Sequence, residues 1–172
     1  IEFIEIINQL AHPEEFGGNK EDGMTIIAPS LPGFGFSGAP NKPYGPRKIA
    51  EVMNTLMTVN LKYKTYVAQG GDWGATIANW LGHDYKNHCK AIHINCLTMR
   101  NQNGPQTDEE KIWQEKFDTD QIIQDGYRTQ QATKPQTLSY AMMDSPVGVA
   151  AWIVEKIHGW SDLKNNDIES VY

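Results

Sequence analysis

The residues best suited to chemistry are a carboxylate set among glycines: Tyr66-Val67-Ala68-Gln69-Gly70-Gly71-Asp72-Trp73-Gly74-Ala75. A short apolar, β-branched run stops at Gly70 and Gly71, and a helical pattern begins at once. Glycines stand two positions before and two after Asp72. This is the spacing of a nucleophile elbow, a strained strand-to-helix turn that lifts one side chain above a sheet edge. The flanking residues must be small because the turn is tight and the next helix packs close. A serine in that place needs a base to deprotonate it. A carboxylate, with an ordinary pKa of about 4, is ionised at neutral pH and can attack a saturated carbon directly. The product is an ester between substrate and protein, which water then cleaves at the protein's own carbonyl. Suitable electrophiles carry a leaving group on carbon, as epoxides and alkyl halides do. The plainer alternative is a strand-to-turn connection in which Asp is an ordinary loop residue.

An elbow needs a strand before it and a helix after it. Tyr63 to Ala68 supplies the strand, and Gly74 to Leu81 the helix, with Ile77, Ala78 and Leu81 facing inward. Upstream, Ile1, Ile4, Ile7 and Leu10, with Phe3 and Ile6 beside them, define a helix ended by His12-Pro13. Residues 14–22 form a polar loop, and residues 24–28 read as a short buried strand. Leu31-Pro32-Gly33-Phe34-Gly35-Phe36-Ser37-Gly38 excludes regular structure. Its aromatics suit either a pocket lining or a packed Ω-loop. Ile49, Val52, Met53, Leu56 and Met57 mark an amphipathic helix over residues 47–60, and residues 90–97 alternate as a further strand. Alternating helices and strands predict an α/β fold, a parallel sheet with helices on both faces.

After Leu97 no strand is predicted. Thr107 followed by Glu110 is a capping box opening a helix that buries Ile112, Trp113 and Phe117. A short helix starts near Pro135 and runs through Leu138 and Met142. Ser145-Pro146 caps another, with Val149, Ala150, Ile153, Val154 and Ile157 as its apolar face and Gly159 as its stop. The chain therefore divides into a core portion, residues 1–97, carrying the elbow, and a helical lid, residues 98–172. Lids of this kind exclude water and complete active sites.

The bulk properties exclude several classes. The 172 residues carry 15 Lys and Arg against 21 Asp and Glu, a net charge of −6, with no basic cluster for nucleic acid. No apolar run reaches the roughly 18 residues of a membrane span, so no membrane contact is expected from this segment. Two cysteines, Cys89 and Cys96, are expected as buried thiols rather than a disulfide. No His/Cys pair has metal-ligand spacing, and no cofactor is expected. A hydrolase core with its lid ordinarily needs on the order of 250–300 residues, so the chain is expected to be incomplete.

Gly70-Gly71-Asp72-Trp73-Gly74 after a strand resembles the nucleophile motif of epoxide hydrolases of the α/β-hydrolase fold. The Gly-Gly before Asp is similar to the microsomal-type branch. Leu31-Pro32-Gly33-Phe34-Gly35-Phe36-Ser37 resembles the loop after the fourth core strand. Gly126-Tyr127, Gln131-Ala132-Thr133-Lys134-Pro135 and Asp144-Ser145-Pro146-Val147-Gly148-Val149-Ala150-Ala151-Trp152-Ile153 resemble that branch's lid. The resemblance implies Asp72 as nucleophile, the backbone N–H of Trp73 as one oxyanion donor, and Tyr127 as one of two lid tyrosines that protonate the epoxide oxygen. It implies substrate contact by Trp73 and Phe34, and a small apolar epoxide as partner. By itself Tyr127 also reads as a lid-packing aromatic.

The same resemblance places the second tyrosine, the general-base His and its charge-relay acid outside these residues. His93 in its strand reads as a core or edge histidine, and His12, His83, His88 and His158 as solvated or capping residues. Asp144 reads as a turn residue before the Ser145 cap, and Asp84 as a surface residue after a helix. A haloalkane dehalogenase would use the same Asp chemistry without a tyrosine acid. A non-catalytic binding protein would need neither. Localisation depends on any anchor outside the segment, cytoplasmic without one and membrane-associated with one.

Overall fold

The computed structural model describes residues 3–96 and 102–171. Ile1 of the predicted first helix and Leu97 of the predicted last strand lie outside them. The chain divides into two compact units, residues 1–99 and 100–172.

In the first unit, α1 (Ile4–Ala11) runs into two 3-10 turns, Pro13–Phe16 and Lys20–Asp22. Residues 24–28 form no strand: they pair with neither strand of the described sheet, and the N–H of Met24 donates instead to Leu10 O at 2.8 Å. A strand exists only where a neighbour takes its hydrogen bonds, and β-branched content cannot supply that neighbour.

α2 (Pro46–Thr55) begins with Pro46, whose missing N–H is harmless in a first turn, and ends in one turn of π-helix, Leu56–Asn60. The N–H of Tyr63 donates to Met57 O at 2.9 Å and so still belongs to the helix end. For that reason β1 (Tyr66–Gly70) starts later than its composition predicts and reaches the elbow itself. α3 (Trp73–Asp84) then leads to β2 (Cys89–Ile94), which lies parallel to β1 with Val67 opposite Ala91 and Gly70 opposite Ile94.

The expected parallel sheet is thus present as a β1–α3–β2 unit. The burial alternates along β1: Tyr66, Ala68 and Gly70 are covered, while Val67 and Gln69 face outward. Ala50, Ile77, Leu81 and Cys89 form the core, with Ile49, Met53, Tyr66, Ala68 and Trp80 packed around it. Each fully buried Ile or Leu contributes about 1.5–3 kcal/mol, so the few residues here make a small core. The Tyr66 hydroxyl lies 2.9 Å from Asn54 Oδ1 and ties β1 to α2, and burial pushes its phenol well above the usual tyrosine range.

Asp84, expected as a surface residue after a helix, is half-buried. It closes α3 and accepts two hydrogen bonds from Arg47 of α2, at 2.7 and 2.9 Å, and one contact from His83 at 2.8 Å. The Arg47 guanidinium also lies 4.4 Å from the centre of the Trp80 ring. The hydrogen bond from Arg47, then that from His83, hold the Asp84 carboxyl down at about 2. Cys89 is buried as expected and its thiol is pushed up by desolvation, but Cys96, beyond the end of β2, is exposed.

The second unit is helical: α4 (Asp108–Gln124), α5 (Gly126–Thr133), α6 (Pro135–Asp144) and α7 (Pro146–Trp160). The Thr107 capping box is formed in both directions, with the Glu110 N–H donating to Thr107 Oγ1 at 3.2 Å and the Thr107 N–H to Glu110 Oε2 at 3.1 Å. Ser145 caps α7 by accepting from the Gly148 N–H at 3.0 Å. Three expectations are corrected. Ile112 and Trp113 are exposed rather than buried, and Trp113 gains only stacking on Phe117, 5.1 Å between ring centres. Ile153 and Val154 are also exposed, and the half-buried side of α7 runs instead through Val149, Trp152, Lys156 and Ile157. Gly159 does not stop α7. It lies inside the helix, where a Cβ would come 2.7 Å from Gln124 Oε1, so its smallness serves close packing against the end of α4.

Candidate active site

Asp72 stands between β1 and α3 with φ +48° and ψ −122°, a conformation that non-glycine residues adopt at a cost of about 1–3 kcal/mol. The strain is held in place by what surrounds it. A Cβ on Gly70 would fall 2.2 Å from the carbonyl carbon of Gly74, so the main chain crosses itself there with no space for a side chain. A Cβ on Gly71 would overlap Asn95 Oδ1, well inside carbon–oxygen contact distance. At Gly74 a Cβ would meet nothing within 4 Å; the turn needs the Gly74 backbone to approach Gly70, not a missing side chain at Gly74.

The turn leaves the Asp72 side chain exposed, and it does not cap α3. The N–H of Trp73, first residue of α3, has no acceptor within its helix, and the positive end of the helix dipole lies at the same place. An anionic oxygen formed beside Asp72 would therefore meet a free donor and a favourable field. The Trp73 indole is 63% exposed. Asn95 escaped the sequence reading. Because β1 and β2 are parallel with Gly70 opposite Ile94, the residues immediately after each strand, Gly71 and Asn95, meet at the carboxyl edge. Only the register reveals that pairing.

Phe34 lies in the self-bonded loop of residues 30–38, where Ser37 Oγ donates to Ser30 O at 2.7 Å and the Gly33 N–H to Gly38 O at 3.1 Å. Both Phe34 and Phe36 project from it, the first 69% exposed. Asp72, Trp73, Asn95 and Phe34 all belong to the first unit.

Tyr127 belongs to the second. It stands in the first turn of α5, its ring 5.1 Å from that of Trp160 in an edge-to-face contact. Lys156 Nζ lies 5.4 Å from the centre of the Tyr127 ring and 5.8 Å from that of Trp160. Both neighbours are far from Tyr127 in sequence, and the sequence reading singled out neither. Among the described residues no group of three or more His, Cys, Asp or Glu is placed to hold a metal ion, and no helix is long and apolar enough to cross a membrane. His93 is exposed on β2, and Asp144 ends α6.

Residues 2–142 match the family model for the alpha/beta hydrolase fold, and the chain belongs to that family. Within it, the chain is 41% identical over 170 residues to a putative epoxide hydrolase of Stigmatella aurantiaca, covering 96% of this chain and 38% of that protein. It is 33% identical over 187 residues to epoxide hydrolase 1 of Oryctolagus cuniculus, covering 98% of this chain and 41% of the relative. The crystal structure of juvenile hormone epoxide hydrolase from the silkworm Bombyx mori superposes with a TM-score of 0.75 at 31% identity, over 94% of this chain and 41% of that one. The chain thus spans about two fifths of the length of the relatives it matches.

Proposed function

We propose that this chain is the part of an epoxide hydrolase that carries the nucleophile and one proton donor, and that the whole protein converts an apolar epoxide to a vicinal diol. Residues 1–97 act as the core portion and residues 98–172 as the lid. The observation that carries the reading is the strained backbone at Asp72, wedged over Gly70 at the carboxyl end of β1. Likeness to proteins named epoxide hydrolases along nearly the whole chain supports the choice of substrate class.

In this mechanism an Asp72 oxygen attacks one ring carbon of the epoxide. The carbon–oxygen bond breaks with its electron pair going to oxygen, and Tyr127 gives that oxygen its phenolic proton. Water, activated by a base supplied elsewhere in the protein, then adds to the Asp72 carbonyl. The oxyanion so formed accepts a hydrogen bond from the Trp73 N–H, and collapse releases the diol. Trp73 and Phe34 supply exposed aromatic surface for an apolar substrate.

The test is a single turnover in heavy-oxygen water with the full-length protein. The label is expected in the Asp72 carboxylate; label confined to the diol would overturn the covalent route. Asp72→Asn is expected to abolish steady turnover, apart from slow recovery by deamidation. Tyr127→Phe is expected to lower epoxide opening by about 10²–10⁴-fold, the usual share of a general acid. Alkyl halide turnover would not need that acid, so an unchanged Tyr127→Phe with halide activity would favour a dehalogenase. The 172 residues alone are expected to turn over little, because this reading puts the base outside them.

A further inference from the structure

Around Tyr127 the second unit builds more than a packing contact. Lys156, on α7, has only 11% of its side chain exposed, although it carries an ammonium group. Burying such a group is costly unless it meets compensating partners. Three kinds are present. Its Nζ donates to the Gln124 carbonyl oxygen at the end of α4, at 3.4 Å, and pairs with Glu155 at 2.7 Å. It also lies over the faces of Tyr127 and Trp160, 5.4 and 5.8 Å from the ring centres. A cation over an aromatic face is attracted by the electron density of the ring. Lys156 therefore joins α4, the Tyr127 ring of α5, and its own helix α7. Gly159, three residues on, lets the Gln124 side chain close against α7 on the same side. Lys156 and Trp160 also line an open groove of about 380 Å³ with Trp152, Ile153, Ile157 and Ser161.

We propose that Lys156 is a positioning residue for Tyr127: it fixes the orientation of the phenol ring and offsets the negative charge that develops on it as the proton leaves. The proposal rests on Tyr127 acting as the proton donor. When the epoxide carbon–oxygen bond breaks, the phenolic proton passes to the leaving oxygen and the ring becomes a phenolate, which later regains a proton from water. In the ground state Lys156 meets a neutral ring; in the transition state it meets one becoming anionic. Its attraction grows along the reaction, so it acts on kcat and hardly on substrate binding. Nothing in the contact requires Lys156 to touch the substrate. Arg could replace it as a cation over a ring, whereas Met, of similar length and apolar, keeps the packing and removes the charge.

The experiment compares Lys156→Met, Lys156→Arg and Tyr127→Phe in the full-length protein with styrene oxide as substrate, with far-UV circular dichroism and Trp fluorescence as checks of folding. The expected result is a fall of about tenfold in kcat for Lys156→Met with KM within twofold, recovery of most of that loss in Lys156→Arg, and collapse in Tyr127→Phe. A folded Lys156→Met with wild-type kcat overturns the proposal. So does an equal loss in the Met and Arg variants, since packing alone would then explain it. If Tyr127→Phe retains full activity, the proton-donor reading fails and the proposal falls with it, a result distinct from a collapsed Tyr127→Phe beside an unimpaired Lys156→Met. Should Lys156→Met not fold, Lys156→Gln, neutral but polar, carries the same comparison.

Discussion

In the first unit Asp72 is placed by the main chain: φ +48° at the residue itself, and a backbone crossing at Gly70 that leaves no space for one carbon atom. In the second unit Tyr127 sits in an ordinary helical turn and is held from outside by two side chains, Trp160 and Lys156, that come from another helix. Backbone placement is rigid and local. It consumes little of the surrounding surface but tolerates no added atom. Side-chain placement spans three helices and is adjustable, because each contact can shift by a rotamer. The two units therefore differ in where they are vulnerable. The elbow fails through single glycines, whereas the setting of Tyr127 weakens gradually as its neighbours are trimmed.

The largest expected effect probes the backbone side of that contrast. Gly70→Ala puts a methyl group 2.1 Å from Gly74 O and 2.2 Å from the carbonyl carbon, with no flexible group to yield. Overpacking of this kind costs about 3 kcal/mol or more, so chemical denaturation is expected to show a folding defect of that size. Gly74→Ala, four residues on, meets nothing within 4 Å and replaces glycine inside α3. It is expected to leave stability unchanged or to raise it by up to about 1 kcal/mol through helix propensity. If both variants cost the same, the elbow glycines are not distinguished by the crossing, and the account of how Asp72 is held fails.

The parts that were legible in the sequence are those decided within a few residues. The elbow, α3, the Thr107 capping box and the Ser145-Pro146 start all depend on neighbours in the chain, and all formed; β2, which also needs β1 beside it, formed but ends at Ile94, short of the alternation expected through Cys96. The expected strand at residues 24–28 depended on a hydrogen-bonding neighbour and did not form. α5 was missed because Arg128, Thr129, Gln130 and Gln131 give it no apolar period, and its first turn is secured by charge, with Arg128 2.6 Å from Asp125. The site shows the same division. Asp72 could be named from spacing, and Trp73 only through the family resemblance of its motif. Asn95 needed the strand register, Arg47 and Asp84 meet across 37 residues, and Lys156 reaches Tyr127 only through the packing of α7.

The Arg47–Asp84 pair is the first unit's own case of placement by side chains, and it sharpens the comparison through pH. The Asp84 carboxyl is held down at about 2, against an ordinary value near 4. A depressed carboxyl stabilises the fold above its unfolded pKa, and that contribution disappears as pH falls through the folded value. Acid unfolding is therefore expected to lose this contribution between about pH 4 and about pH 2. Asp84→Asn should remove that part of the pH dependence while leaving neutral-pH folding intact. Arg47 is 61% exposed, so screening keeps the effect modest, and high salt should shrink it further. An unchanged acid profile in Asp84→Asn would show that α2 and α3 are held together by the Ala50 and Ile77 core alone.

The smallest expected effect comes from a glycine whose obstacle is a side chain. At Gly159 an added Cβ would lie 2.7 Å from Gln124 Oε1 and 2.9 Å from its Nε2, as severe on paper as many backbone clashes. Those atoms are the far end of a flexible side chain, which can rotate away, and alanine is favoured over glycine within a helix by about 1 kcal/mol. Gly159→Ala is thus expected to change stability by no more than about 1 kcal/mol in either direction. Its consequence should appear at Tyr127 instead, because the displaced Gln124 also provides the carbonyl to which Lys156 Nζ donates. A change in the fluorescence of Trp160 with no more than a small shift in unfolding midpoint is the expected signature. Were Gly159→Ala as damaging as Gly70→Ala, side-chain and backbone obstacles would be equivalent here, and the second unit would be as rigid around Tyr127 as the first is around Asp72.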